Sequence, residues 1–349
     1  MKNFSLIFFI TLFLFIIFNL LIVFTWPIYS NYNSQKHSYI NEQINLLKLS
    51  NDDLIILNNE MWKNYDKFRF VPFTGHSETN RSGKFLNFTE NEGRKVNRPN
   101  KCDHNVYLYG GSTTFGYNVT DNQTIAYYLQ ELLGKNHCIY NHGRAYYYSK
   151  QENNLLMNHI EEGKKIHTAF FLDGINERCG GYEYMNQINN SFSLLVEKPY
   201  LMWKMTLKNF IYTLPVVQFS NSLFGSNRWI QDENNNILKI DSCEKNISLG
   251  KLYESRILIR DSICNKFSIN CYSMLQPMAG NHGIQIQKLL SKNLENMFKN
   301  KYKILSSANG YIDIGHALNN DTTLSYIDGV HYSPLSNKKI ADELYKYLK

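Results

Sequence analysis

Residues 106–116, VYLYGGSTTFG, give the clearest indication of the fold of this chain. The four residues before the glycines predict a buried strand, and the two glycines permit a sharp turn after it. Such a turn leaves the Ser112 hydroxyl exposed where the next helix approaches. No Gly-Lys-Ser/Thr follows, which excludes a phosphate-binding loop. A Gly-Ser-Thr turn on its own is an ordinary linker, so the rest of the chain must decide its role.

After residue 105, short apolar runs alternate with amphipathic helices, which predicts a doubly wound, mainly parallel α/β sheet of five strands. The strands are predicted at 106–109, 138–140, 168–172, 271–275 and 311–314, and the helices at 124–133, 150–162, 251–267, 283–298 and 336–348. Residues 178–250 interrupt this alternation with an aromatic-rich insertion. A cap, a membrane-leaning surface and a plain elaboration all stay open, with elaboration favoured because most insertions carry no chemistry.

Residues 4–26 form an apolar segment without a charge. A helix of that length can cross a hydrocarbon core of ~30 Å, whereas a signal peptide has a shorter apolar run and a small-residue cleavage site. We therefore expect a retained anchor in residues 1–30, a membrane-proximal stalk at 31–100 with a helical stretch around 39–62, and a catalytic domain at 101–349. Lys2 precedes the segment and the next basic residue is Lys36, which favours an extracytoplasmic body.

The charge and cysteine patterns exclude several classes of function. The 37 basic and 30 acidic residues are scattered, so we expect no nucleic-acid partner. The six cysteines show no Cys-x-x-Cys spacing and no paired histidines nearby, so we expect no metal and no cofactor. Six cysteines allow 15 disulfide pairings, and their spacing does not choose among them.

Polar signals follow the predicted strands where ligands bind in open α/β sheets. The second strand ends at Asn141-His142-Gly143-Arg144, and the third at Asp173-Gly-Ile-Asn176-Glu177. Asp328-Gly-Val-His331 precedes the last helix. Together these segments offer a hydroxyl, a glycine N–H, a carboxamide, an acid and a base at one rim of the sheet.

From about residue 105 to its end, the chain resembles the SGNH (GDSL-type) serine hydrolase family. Ser112 matches the nucleophile block in its GGST variant, Gly143 the second block, Asn176 the G-x-N-D block, and Asp328 with His331 the D-x-x-H block. Residues 85–95, KFLNFTENEGR, loosely resemble the lead-in of membrane-anchored members. The departures from the family pattern, which remove no group that the mechanism requires, are Gly111 and Glu177 in place of aspartates and Ser336-Asn337 in place of Gly-Asn.

The resemblance implies a flavodoxin-like sheet and a membrane-anchored serine esterase that hydrolyses acyl or acetyl esters of a glycan or lipid through an acyl-enzyme. It implies Ser112, His331 and Asp328 as the catalytic triad, with oxyanion donors at Ser112, Gly143 and Asn176. An O-acyltransferase acting on a glycan hydroxyl and a non-catalytic glycan-binding or assembly module are the alternatives.

Two disulfides follow from the layout of this fold. The first two strands would be parallel neighbours, so Cys102 and Cys138 would lie at the same end of the sheet, and we predict that they are bonded. Cys264 and Cys271, at a helix end and the start of the next strand, form a second candidate pair. Both bonds require an exported body.

Overall fold

The computed structural model describes residues 9–22, 40–63, 68–179, 248–284 and 292–349. The chain divides into two units, one of Met1–Ile40 with Gly180–Ser242 and the other of Asn41–Cys179 with Cys243–Lys349. In the first unit, residues 9–22 are helical. None of the helices in the described ranges is both long and apolar enough to cross a membrane. The predicted anchor at 4–26 extends beyond residues 9–22 on both sides, and it stays a prediction.

The second unit is built on a mixed sheet of eight strands. Five of them are parallel, namely β6 (His104–Gly110), β7 (His137–Asn141), β8 (Thr168–Asp173), β9 (Asn270–Leu275) and β10 (Ile312–Asp313). They lie in the order β7-β6-β8-β9-β10 from one side to the other. They match the five predicted strands, because each is a short apolar run bounded by turn residues.

The prediction of a five-stranded sheet was wrong by three strands. The antiparallel strands β5 (Gly93–Arg94), β4 (Asn87–Thr89) and β3 (Arg81–Ser82) extend the sheet beyond β7. A separate hairpin pairs β1 (Phe68–Val71) with β2 (Gly75–Glu78). The segment predicted as a stalk therefore supplies part of the sheet, and the compact unit begins at Asn41 rather than at residue 101.

Helices cover both faces of the sheet, as the alternation of β6 requires. Val106 and Leu108 point into one core, and Tyr107 and Tyr109 point into the other. The first core packs against α4 (Ile125–Leu133) and α8 (Pro334–Tyr345), and the second packs against α5 (Ser149–Glu161) and α6 (Leu249–Lys266). Burial on both faces explains why these parallel strands are almost continuously apolar.

Two predicted helices differ from the structure. The stretch at 39–62 is two short helices, α1 (Ile40–Leu47) and α2 (Asn51–Asn58), followed by a single turn of π-helix at Asn59–Lys63. Lys48 adopts a left-handed conformation, and Ser50 caps α2 by accepting from Asp53 N, so the first helix must end there. Instead of 283–298, the described helix α7 runs over Lys292–Leu305, and residues 285–291 lie outside the described part.

Both expected disulfides are formed, Cys102–Cys138 across the starts of β6 and β7 and Cys264–Cys271 across the turn between α6 and β9. Cys179 is also disulfide-bonded. Most of the predicted insertion at 178–250 lies outside the described residues.

Candidate active site

Ser112 begins a four-residue helix, α3 (Ser112–Phe115), directly after β6. Three neighbouring strands fix this turn. Thr113 Oγ1 donates to Gln276 Oε1 at 2.7 Å beyond β9, and Asn141 Nδ2 at the end of β7 donates to Thr114 O at 3.0 Å. Arg94 from β5 donates to Phe115 O at 3.1 Å. The turn that carries the hydroxyl is therefore held rigidly at the carboxyl end of the sheet.

The predicted triad residues meet at this rim. His331 Nε2 lies 2.9 Å from Ser112 Oγ, although the two residues are 219 positions apart. His331 Nδ1 lies 2.6 Å from Asp328 Oδ2. An ionised carboxylate only accepts, so Nδ1 carries the proton and Nε2 is free to accept from the serine hydroxyl. This is the arrangement in which an imidazole can act as a base toward Ser112.

A tight loop presents the acid and the base. Asp328 Oδ1 accepts from the N–H groups of Val330 and His331, each at 2.7 Å, and Ile327 N donates to His331 O at 2.9 Å. The loop then enters α8 through the Ser333 cap. Burial acts to raise the pKa of Asp328, but His331 and the loop N–H groups outweigh it, so the pKa lies below its ordinary value. Asp328 therefore stays ionised at neutral pH, as a partner of an imidazolium must.

Two residues beside the triad carried no signal in the sequence. The Tyr117 ring stacks on the His331 ring at 5.7 Å between centroids and 25° between planes. Asn118 Nδ2 donates to Asp328 Oδ2 at 2.6 Å. Neither residue belongs to one of the four motif blocks, and the sequence after Gly116 does not indicate these contacts with His331 and Asp328.

The structure gives the three predicted oxyanion donors different surroundings. Ser112 N lies in the first turn of α3, where N–H groups have no partner within the helix. Asn176 Nδ2 donates to Tyr147 O at 3.0 Å, and its second N–H is available because a carboxamide carries two. A Cβ on Gly111 would lie 2.4 Å from Asn176 Nδ2, so glycine leaves room for this amide beside the serine.

Gly143 has a hydrogen-bond partner within its own loop, and its role as an oxyanion donor stays a prediction. Its N–H already donates to Asn141 Oδ1 at 3.1 Å. A Cβ at this position would lie 2.2 Å from Phe115 N, so glycine is needed where the loop after β7 crosses the turn that carries Ser112. Gly143 thus allows close packing against the backbone of Thr114 and Phe115, and its N–H donates to the Asn141 side chain.

Buried charges hold the loop that carries Asn176. Glu177 accepts from Ser149 N at 2.6 Å and from Arg256 Nη1 at 2.9 Å. Burial raises the pKa of Glu177, and Arg256 opposes that shift. At the end of β8, Arg260 pairs with both oxygens of Asp173, at 2.8 and 3.1 Å. Both ends of the turn from Asp173 to Glu177 are therefore fixed in the interior.

Across the described ranges, no three His, Cys, Asp or Glu side chains gather closely enough to hold a metal ion.

No protein-family model matches the sequence, and no curated protein matches it. Several solved structures are similar at low identity. An acetyl xylan esterase is 12% identical, with 70% of this chain and 100% of that chain covered and a TM-score of 0.38. The aryl esterase of M. smegmatis is 9% identical, with 70% and 98% covered and a TM-score of 0.37. A putative lipolytic protein of the G-D-S-L family from Desulfitobacterium hafniense DCB-2 is 10% identical, with 71% and 100% covered and a TM-score of 0.35.

Proposed function

We propose that the protein is a serine esterase of the SGNH type that hydrolyses acyl or acetyl esters through an acyl-enzyme. The observation that carries this proposal is the continuous chain of hydrogen-bonding distances from Ser112 Oγ through His331 to Asp328, at 2.9 and 2.6 Å. Residues so far apart in sequence meet in this order because three strand ends and the loop before α8 converge on one rim.

The geometry supports a two-step acyl transfer. His331 Nε2 takes the proton of Ser112 as Oγ attacks the acyl carbon, and the imidazolium then protonates the departing alcohol. Water enters, gives its proton to the same nitrogen and attacks the acyl-enzyme, which releases the acid and restores Ser112. Asp328 stabilises the imidazolium in both steps without taking its proton.

Two donors would bind the oxyanion in this mechanism, the Ser112 N–H and the second N–H of Asn176. Ser112 N lies in the first turn of α3, and the Asn176 amide occupies the space over the neighbouring Gly111, which supports this role. A donor of this kind typically lowers the barrier by about 3–4 kcal/mol.

Labelling by a fluorophosphonate probe tests the proposal, because the probe phosphonylates a serine only where a neighbouring base activates it. We expect the full-length protein to be labelled and to hydrolyse p-nitrophenyl acetate, and Ser112→Ala to lose both properties. Ser262→Ala, which changes an exposed serine on α6, is the matched control and should retain both. Labelling that survives in folded Ser112→Ala would refute the assignment of the nucleophile.

We also propose that residues 4–26 anchor the chain and that the body lies on the extracytoplasmic side. The uncharged apolar run supports the anchor, and the disulfides Cys102–Cys138 and Cys264–Cys271 support an oxidising compartment. Alkaline carbonate extraction tests it: the full chain should stay with the membranes, and a chain that lacks residues 1–30 should be released. Release of the full chain would contradict the anchor.

A further inference from the structure

We infer that Asn118 is a positioning residue for Asp328, and that residues 41–63, which we name the clasp, hold Asn118 in place through Trp62. The inference rests on the proposed esterase function and goes beyond it, since it makes a segment far from every family motif a part of the active site.

Asn118 bridges the clasp and the triad. Its Oδ1 accepts from Trp62 Nε1 at 2.6 Å, and its Nδ2 donates to Asp328 Oδ2 at 2.6 Å. An indole N–H can only donate and an ionised carboxylate can only accept. These two neighbours therefore determine which end of the carboxamide faces Asp328, and the amide has one orientation that satisfies both.

The backbone of Asn118 suits this role. Its φ is 63°, in the left-handed region that asparagine tolerates better than most residues. The conformation turns the side chain of Asn118 toward Asp328 directly after Tyr117, whose ring covers His331. One short segment thus contacts both the acid and the base of the triad.

The contact is positioned to fix the carboxylate. Oδ1 of Asp328 is held by two N–H groups of its own loop, and Oδ2 receives His331 Nδ1 together with Asn118 Nδ2. The loop N–H groups leave the carboxylate free to shift with the loop, whereas Asn118 ties the oxygen that meets the imidazole to the segment after the nucleophile turn. The segment that follows the Ser112 turn therefore fixes the positions of Asp328 and His331 relative to Ser112.

The clasp is docked at several points on the same side. Gln43 Nε2 donates to Ile327 O at 3.3 Å, beside the catalytic acid, and Gln123 Nε2 donates to Leu47 O at 2.8 Å. The Trp62 ring packs on Tyr117 at 5.3 Å between centroids.

A second anchor of the clasp is the Glu60 carboxylate. It accepts from three successive backbone N–H groups, at 2.7, 2.9 and 2.9 Å, those of Lys84, Phe85 and Leu86. These contacts fix the chain two residues before Trp62, so the clasp can hold the Trp62 indole against Asn118.

The test compares Asn118→Gly with Ser268→Gly. Both variants place glycine at a left-handed position, and Ser268 lies in the turn between α6 and β9, away from the triad. Fluorophosphonate titration gives the fraction of active sites, and p-nitrophenyl acetate gives kcat per active site and KM. For Asn118→Gly we expect kcat per active site to fall about 10- to 100-fold with KM changed less than about twofold, since a hydrogen bond to a charged group is lost. Ser268→Gly should match the wild type.

A double-mutant cycle separates positioning from a general loss of structure. If Asn118 acts through Asp328, Asn118→Gly should have no further effect on kcat in an Asp328→Ala background. Trp62→Phe keeps an aromatic ring on Tyr117 but removes the N–H, and it should lower kcat by a smaller factor, about 3- to 10-fold.

The outcomes distinguish this inference from the proposed function. Labelling that persists in folded Ser112→Ala overturns the assignment of Ser112 as the nucleophile, on which the proposed function rests. Labelling lost in Ser112→Ala, together with a wild-type kcat per active site in Asn118→Gly, overturns only the inference. A fall in kcat that is equally large with and without Asp328 also overturns it.

Discussion

The side chain of Arg94 offers the sharpest test of how the turn that carries Ser112 is stabilised. It is completely buried, and its Nε donates to Asp121 Oδ1 at 2.9 Å. Its Nη atoms donate to Phe115 O at 3.1 Å, to Gly116 O, and to Val119 O at 2.6 Å. One guanidinium thus satisfies the carbonyl groups that follow Ser112. Replacing Arg94 with methionine keeps much of the volume and removes every donor.

The expected loss of stability follows from these contacts. Removing one partner of a buried ion pair costs about 3–5 kcal/mol, because the other charge stays behind without compensation. Asp121 still accepts from Asn87 N at 3.1 Å and from Asn87 Nδ2 at 2.8 Å, which reduces its share of the cost. The carbonyl groups each lose a donor, at about 1–3 kcal/mol for any that water does not reach. We therefore expect Arg94→Met to lower the free energy of unfolding by about 3–5 kcal/mol.

Urea unfolding measures this change, with Arg69→Met as the matched control. Arg69 pairs with Glu90 at the surface, where the two side chains are 45% and 49% exposed. An exposed pair contributes only about 0–1 kcal/mol, so the control should shift the midpoint little. Equal slopes against urea are required for the comparison, since a changed slope reports a changed unfolded or native state. A loss below about 1 kcal/mol in Arg94→Met, or an equal loss in both variants, would show that Arg94 does not stabilise this turn.

Two further predictions concern the oxyanion donor and a buried histidine. Asn176→Ala is expected to lower kcat for p-nitrophenyl acetate by about 10²- to 10³-fold at an unchanged urea midpoint, and an unchanged kcat would remove Asn176 from the site. Burial lowers the pKa of His159 to about 3 from its ordinary value near ~6.5. Between these two pH values the folded protein binds fewer protons than the unfolded chain, so its stability falls as the pH falls. His159→Gln should flatten the fall between pH 6 and pH 5 by up to about 1.4 kcal/mol per pH unit, measured by urea unfolding, and equal slopes in the two proteins would contradict this.

The five parallel strands and the meeting of Ser112, His331 and Asp328 could be predicted from the sequence for a physical reason. Strands buried on both faces leave apolar runs, such as Thr168–Asp173, that stand out against amphipathic helices. The side chains of Ser112 and His331 lie at strand ends or beside a helix start, where short spaced motifs record the local turn. Position along the chain and position in the fold are closely linked at such places.

The remaining elements could not be predicted, because long-range contacts specify them. Arg81–Ser82 and Gly93–Arg94 are strands of two residues with no apolar alternation, and pairing and the burial of Arg94 define them. No motif indicates a contact between Asn118 and Asp328, since the position of Asn118 depends on Trp62 and Asp328, which lie on distant segments. The oxyanion role of Gly143 stays a prediction, and the sequence does not show that its N–H donates to Asn141 Oδ1.

Contacts from residues 41–100 reach three of the segments that form the rim. Trp62 reaches Asp328 through Asn118, and Arg94 holds the carbonyl groups after Ser112. Glu78, which is buried, accepts from Ala145 N at 2.8 Å in the loop after β7. A parallel sheet places its strand ends at one edge but leaves the loops beyond them free to move, so separate supports are needed to fix their side chains. Residues 41–100 supply those supports, so we expect the smallest chain that keeps Ser112, His331 and Asp328 together to begin near residue 41.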